Sequence, residues 1–471
     1  MKQYLSYAFG AFGHDAFYGA LSTYFMIFIT SQLFGSGDAG FDAKMIGIVT
    51  TLIVVIRIAE ILCDPFIGGM IDNTQTRWGK FKPWLFAGAL ISSLGLIMVF
   101  TNFGGLTIKS PILYLILFGI VFVILDVFYS IKDISFWSML PALSVDSDKR
   151  AKIGTVARFG STLGSQGVII AVVPLVVFFS QMFSGTTGDT ETRAGWLGFA
   201  IVVALISFLG AMATIWGTKE EHTIIRKSKK IRLRDVFKVI GQNDQLMWLS
   251  LSYFMLAFGY VVTNNLLLYY FTYVMGRPGD FYLVGVITAI LGVLSVALFP
   301  ILVQMIKRKA IYTCGILFML IGYVVFLFAG NSLIFVLVAV SLYFFPYPMI
   351  FLAALMTITD SVEYGQLKNG NRNESVTLAV RPLLDKLGGA FANGIVGLAA
   401  VVTGMTGNAQ PSDISSGGLW MFKFFMFFGP MILIALSALI YMAKIKLTEA
   451  RHAEIVVELE HKLSDRQQNT F

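Results

Sequence analysis

Arg57, Glu60 and Asp64 follow one another at intervals of three and four residues inside the apolar run "IVTTLIVVIRIAEILCDPFIGGM". On a helix those intervals put all three on one face. A charge at the middle of a bilayer costs about 2.5–3.5 kcal/mol on insertion scales, so such groups face a partner or a wet cavity. Two readings stand. An Arg57–Glu60 ion pair would hold helices together, but it leaves Asp64 unexplained. Two carboxylates one turn apart in low dielectric compete for one proton or share a cation. That is the chemistry of a coupling-ion site.

A second stripe lies in "DVFYSIKDISFW". Asp126, Tyr129, Ser130, Asp133 and Trp137 recur at helical spacing and share a face, with Lys132 one residue off it. Carboxylate, phenol and indole on one face suit a sugar. The carboxylate accepts from adjacent hydroxyls, and the aromatic ring covers the C–H face. The other reading is a polar seam between helices with Trp137 as an interfacial anchor. Further buried polar groups are His14 and Asp15 in "AFGHDAFYG" and Arg158 in "TVARFGSTLGSQ", where small residues allow close packing. In "RPLLDKLGGA", Arg381 and Asp385 are an i,i+4 pair, and Lys386 points at a different angle.

The elements that carry these residues are membrane helices. Of the 471 residues, 56% are hydrophobic and 13% charged, with a mean hydropathy of +0.76. Too few polar residues remain to cover a soluble protein. Runs long enough to cross a bilayer as helices recur along the whole chain. They predict an all-α polytopic protein with twelve spans near 5–33, 43–71, 83–103, 111–138, 154–182, 194–217, 245–275, 280–304, 310–329, 333–359, 375–405 and 417–443. Cys63 and Cys314 fall in different spans and imply no disulfide.

Lys and Arg crowd into alternate loops, most densely in "RKSKKIRLRD", while the intervening loops are rich in Gly, Ser and Thr. The positive-inside rule then puts both termini and the central loop in the cytoplasm. The net charge of +8 reflects topology, and nucleic-acid binding has no support. The layout predicts an N-terminal bundle at 1–217, a basic linker at 218–244, a C-terminal bundle at 245–446 and an amphipathic cytoplasmic tail at 447–471. That is the organisation of a two-bundle transporter. No catalytic constellation points to an enzyme, and no repeated filter segment points to a channel.

Two cytoplasmic segments, "DNTQTRWGKFK" and "DSVEYGQLKNGNRNES", alternate acids and bases, among them Asp72, Arg77, Asp360, Glu363 and Arg372. Their ion pairs would close an inner gate in the outward-open state and part in the inward-open state. The alternative is ordinary solvated loop charge.

The segments "DPFIGGMIDNTQTRWGKFKPW", "YSIKDISFWSMLP", "GQNDQLMWL", "DSVEYGQLKNGNRNES" and "LLDKLGGA" resemble the glycoside–pentoside–hexuronide cation symporters of the major facilitator superfamily, the family of melibiose permease. "SYAFGAFGHDAFYGALSTYF", "LDVFYSIKDISFWSMLPALSVDS" and "LTEARHAEIVVELEHKL" are similar to the lactose transporters of lactic acid bacteria within it. The resemblance implies the major facilitator fold in the plasma membrane and cation-coupled symport and exchange of galactosides such as lactose. It implies that Asp15, Asp133 and Arg158 bind galactosyl hydroxyls, that Trp137 stacks on the sugar, and that Tyr129 and Lys386 line the site. Glu60, Asp64 and Ser130 fall on its cation-site positions.

The departures from melibiose permease bear on the ion. Cys63 stands where that protein has asparagine, and sulfur is a poor ligand for a hard cation. Lys132 replaces a methionine, and its ammonium would stand in for sodium beside the acids. Both favour a proton as the coupling cation, with no other cofactor. In the loop before the eleventh span, "GNRNES" has Asn371 where lactose-type relatives have histidine, leaving Glu374 as the group to titrate or serve the gate. In those relatives a similar tail leads into a phosphotransferase-like regulatory domain. This sequence stops at Phe471, so that partner is expected to be absent from the chain.

Overall fold

A computed structural model describes residues 1–144, 147–188, 190–220, 233–370, 373–407 and 409–468. Most of the expected basic linker lies outside them. Among the described residues the chain is helical and has no strand, and twelve spans can be followed. The first runs without interruption over 2–33, starting as Lys2–Gly19 and passing through π-turns at Ala20–Tyr24 and Ile29–Leu33. Then come Ala39–Asp72, Lys82–Val99, Pro111–Met139, Ser147–Ser184 and Arg193–Gly217. The seventh is Asp244–Tyr269, extended by a π-turn at Tyr270–Val274. The eighth and ninth share the helix Tyr282–Ala329, which breaks at Lys307 with φ 62° and ψ 159°. A lysine in this left-handed region ends one span and starts the next. The tenth covers 333–369, the eleventh is Val380–Thr403, and the twelfth covers 416–444. The tail helix is Glu449–Gln468.

Local chemistry sets several boundaries. Asp38 caps the second span, its carboxylate accepting from the N–H groups of Gly40 and Phe41, and Thr192 caps the sixth through Gly195. Before the third span, the Glu220 carboxylate accepts from three successive backbone N–H groups: Lys80 at 2.7 Å, and Phe81 and Lys82 at 3.2 Å each. These donors have no partner within their own helix, and an anion at that end also meets the positive end of the helix dipole.

Packing divides the chain into two compact units. The first holds 1–230 together with 264–289 and 390–422, and the second holds 231–263, 290–389 and 423–471. The packing boundary is therefore not the central linker alone. Within the first unit, Thr30 Oγ1 lies 2.6 Å from the Tyr269 hydroxyl. There Asn265 Nδ2 donates to Ser22 O at 3.1 Å, and Gly407 N donates to Thr30 O at 2.7 Å. These bonds join the first span to residues of the seventh span and to Gly407.

Close backbone approach fixes the first unit. A Cβ at Gly160 or Gly164 would sit 2.2 or 2.1 Å from the carbonyl oxygens of Ala8 and Phe12, so only glycine lets the fifth span lie on the first. Gly10 and Gly13 serve the sixth span in the same way. Gly88 of the third span meets the backbone of Lys132, where a Cβ would lie 2.8 Å from its nitrogen.

Candidate functional site

The Gly160–Gly164 face sets the depth and rotation of the first span, and with it Asp15. Ser161, next to Gly160, donates to the Asp15 carboxylate. One residue earlier, His14 turns toward the fourth span. Its Nε2 lies 3.0 Å from Asp133 Oδ1 and 3.4 Å from the Tyr129 hydroxyl. The imidazole lies parallel to two rings, 5.5 Å from Tyr129 and 5.5 Å from Phe136 between centroids, and meets Trp137 edge-on at 6.3 Å. Arg158 of the fifth span covers the Trp137 ring, with its guanidinium carbon 5.3 Å from the centroid. Asp15, Tyr129, Asp133, Trp137 and Arg158 thus gather in one unit around His14.

The second span brings its acids to the same fourth span. Ser130 donates to Asp64 Oδ1, and Glu60 is buried, 7% exposed. On the other side of that helix Leu62 and Phe66 are 59% and 80% exposed, the apolar surface that hydrocarbon covers. Arg57 Nε and Nη2 are buried and find no acceptor among the described residues. Pro65 has no N–H to donate to the carbonyl of residue 61, so the ladder is interrupted beside Asp64.

Lys132, expected as the counter-charge to Glu60 and Asp64, contacts the first and sixth spans. Its ammonium donates to Ser207 Oγ of the sixth span at 2.9 Å and lies 4.0 Å from the Phe17 ring centroid and 5.1 Å from that of Tyr129. Cation–π contact and one hydroxyl hold it. Asp126, one turn above Tyr129, is buried.

The second unit carries Lys386, half-buried on the eleventh span beside the Arg381–Asp385 pair (3.1 Å). Asp385 also accepts from the Tyr253 hydroxyl at 2.7 Å, as suits a structural pair. Of the expected gate residues, Arg372 lies outside the described residues, as do the side chains of Asp72 and Glu374. Arg77 is exposed in its loop. Asp360 and Glu363 meet the tail. Arg308 Nη2 donates to Asp360 at 2.6 Å, and its N and Nε donate to Glu449 Oε1 at 2.8 and 3.1 Å. His452 Nε2 stands 3.8 Å from Asp360 and 3.6 Å from Glu363. Ile455, fully buried, seats the tail helix.

Sequence reading named His14 as buried but did not pair it with Asp133, and it passed over Ser161, Ser207 and Glu220. Adjacency of His14 to Asp15 was the available signal for the first. A lone serine in an apolar run, such as Ser207, carries none.

Comparison with known proteins agrees with this architecture. The family model for "MFS/sugar transport protein" matches residues 6–449. A lactose permease of Lactobacillus delbrueckii subsp. bulgaricus is 47% identical, over 97% of this chain and 72% of that protein. A lactose permease of Leuconostoc lactis is 43% identical, over 98% and 72%. A raffinose carrier protein of Pediococcus pentosaceus is 45% identical, over 99% and 72%. Among solved structures, a D-xylose–proton symporter superposes with a TM-score of 0.63 at 15% identity, covering 95% of this chain and 98% of that one. The nucleoside transporter NupG gives 0.64 at 13%, covering 95% and 100%. Both likenesses concern the fold. This chain belongs to the MFS/sugar transport protein family, and it is a multi-pass membrane transporter of the glycoside–pentoside–hexuronide symporter type, not an enzyme.

Proposed function

We propose that this protein carries galactosides such as lactose across the cell membrane together with a proton, by alternating access. The observation that carries this reading is the wall of the first unit in which Asp133, Trp137 and Arg158 stand together, with Asp15 and Tyr129 beside them. A carboxylate accepts from paired hydroxyls, a guanidinium donates to them, and an indole covers the C–H face of the ring. The names of the two lactose permeases support the substrate class. Lys386 is included as a sugar ligand on the family resemblance. Glu60 and Asp64, the latter bonded to Ser130 of the fourth span, form the coupling site. Cys63 beside them argues for a proton over a hard metal cation.

The spans at 1–217 and 245–446 form the two bundles, and both termini lie in the cytoplasm, as the basic loops require. A second reading, transport of an α-galactoside, is favoured by one observation, the 45% identity to a raffinose carrier. Uptake of a labelled sugar panel into proteoliposomes, with pH and sodium gradients imposed separately, tests both. Lactose is expected to accumulate when the outside is made acidic and to ignore sodium. Raffinose uptake without lactose uptake would select the second reading, and sodium-driven accumulation would overturn the proton.

A further inference from the structure

We infer that His14 is a positioning residue for the Asp133 carboxylate, held as the tautomer with its proton on Nε2 and a bare Nδ1. The inference rests on the reading of Asp133 as a sugar-binding acid. Three observations carry it. Nε2 faces Asp133 Oδ1 at 3.0 Å, the distance of a hydrogen bond from an N–H to a carboxylate. Nδ1 is buried and has no hydrogen-bond partner among the described residues. The ring lies parallel to Tyr129 and Phe136, and only 4% of the residue is exposed, so water does not supply Nδ1 with a partner.

A proton on Nδ1 would be a buried donor without an acceptor, which proteins avoid. A proton on Nε2 is satisfied by Asp133. The partner of the second ring nitrogen sets the tautomer of an imidazole, and here Nδ1 has no hydrogen-bond partner among the described residues. The result is a fixed donor that holds one carboxylate oxygen in place. Asp133 then meets its ligand with a set rotamer against the Trp137 ring, so that orientation is settled before binding and its entropy is not lost at that moment. The Tyr129 hydroxyl, 3.4 Å from the same Nε2, is too long to compete with the carboxylate.

Three substitutions separate donor from packing. His14→Gln places an amide N–H near the position of Nε2. His14→Asn places it near Nδ1, short of Asp133. His14→Phe keeps the stack and removes the donor. Lactose affinity of the full chain in proteoliposomes should stay within about threefold in His14→Gln and fall by about tenfold or more in the other two, the range for losing a hydrogen bond to a charged group. Parent-like affinity in His14→Phe, or equal affinities in His14→Gln and His14→Asn, would overturn the positioning role.

The second readout is taken on the parent chain. The chain has 4 histidines, so ¹⁵N-histidine NMR of the parent, with His14→Gln to assign the lost signal, reads the tautomer directly. A neutral ring protonated on Nε2 is expected, and an Nδ1-protonated ring or an imidazolium would sink the inference. Asp133→Asn is the control for the reading beneath it. If that variant keeps lactose affinity, the sugar assignment fails whatever the tautomer. If it loses affinity while His14→Phe does not, only the positioning role fails.

Discussion

Two histidine–carboxylate clusters in this molecule solve the same electrostatic problem in different media. In the first unit, His14 Nε2 faces Asp133 at 3.0 Å with the Tyr129 hydroxyl farther off, and aromatic rings flank the imidazole. In the second unit, His452 stands near two acids, Asp360 and Glu363, while Arg308 donates to Asp360 and Glu449. There the Arg308 guanidinium joins Asp360 to Glu449, and the His452 ring stands beside Asp360 and Glu363. The membrane cluster is held by shape, because its helices close on glycine contacts. The tail cluster is held by number, at a partly wet surface where ion pairs are individually weak but a network is not. Losing one group should therefore be decisive in the first and graded in the second.

The largest effect is expected at the acids of the second span. A Glu60→Gln, Asp64→Asn double variant should lose sugar accumulation driven by a pH gradient, while sugar exchange at equal concentrations survives, since a loaded carrier need not release its proton in exchange. Proteoliposome uptake and counterflow measured side by side check this, and full gradient-driven accumulation would remove the coupling site.

Next comes Asp133→Asn. Replacing an acceptor oxygen by a donor and dropping the charge should lower galactoside affinity by about tenfold or more, from the ~1.5–3 kcal/mol of a charged hydrogen bond. Titration calorimetry with lactose reads it. Thermal stability of the tail cluster should not move.

In the second unit, Arg308→Ala removes both guanidinium contacts, keeps the backbone N–H bond to Glu449, and should loosen the tail helix. Proteolysis between the last span and the tail is expected to quicken several-fold, with galactoside affinity within about twofold of the parent because the residue touches no group of the first cluster. Unchanged proteolysis would mean that Ile455 packing alone seats the helix.

The smallest effect is a pH dependence. Burial pushes the Glu449 carboxyl up, but the hydrogen bonds from the Arg308 backbone and guanidinium outweigh it and hold this acid below the usual glutamate range. A depressed value in the folded state means that its share of tail docking is present above the ordinary glutamate range. That share is lost as the pH falls through the depressed value. Spin-label distances between the tail and the tenth span should therefore lengthen on acidification in the parent. In Glu449→Gln they should start longer and change less. A parent whose distances shorten in that range would reverse the sign.

The two clusters also differ in how far they could be read from residues alone. The acidic face of the second span and the polar stripe of the fourth were legible because helical spacing and hydropathy are local properties. The same holds for the twelve spans and the amphipathic tail. Partner choice was not legible. Lys132, expected as the counter-charge to Glu60 and Asp64, also donates to Ser207 and lies over Phe17. Asp360 and Glu363, expected to serve a gate, meet Arg308 and the tail's His452.

By itself the sequence determined that this chain crosses a membrane, how many times, and which helices carry charge into the apolar layer, because each of those depends on residues within one span. The tertiary structure decided which charges meet: Asp64 with Ser130, Asp15 with Ser161, His14 with Asp133. Those meetings depend on the depth and rotation of one helix against another. For the first span they rest on glycine contacts with the fifth and sixth spans, far apart in the chain, and no local pattern encodes them.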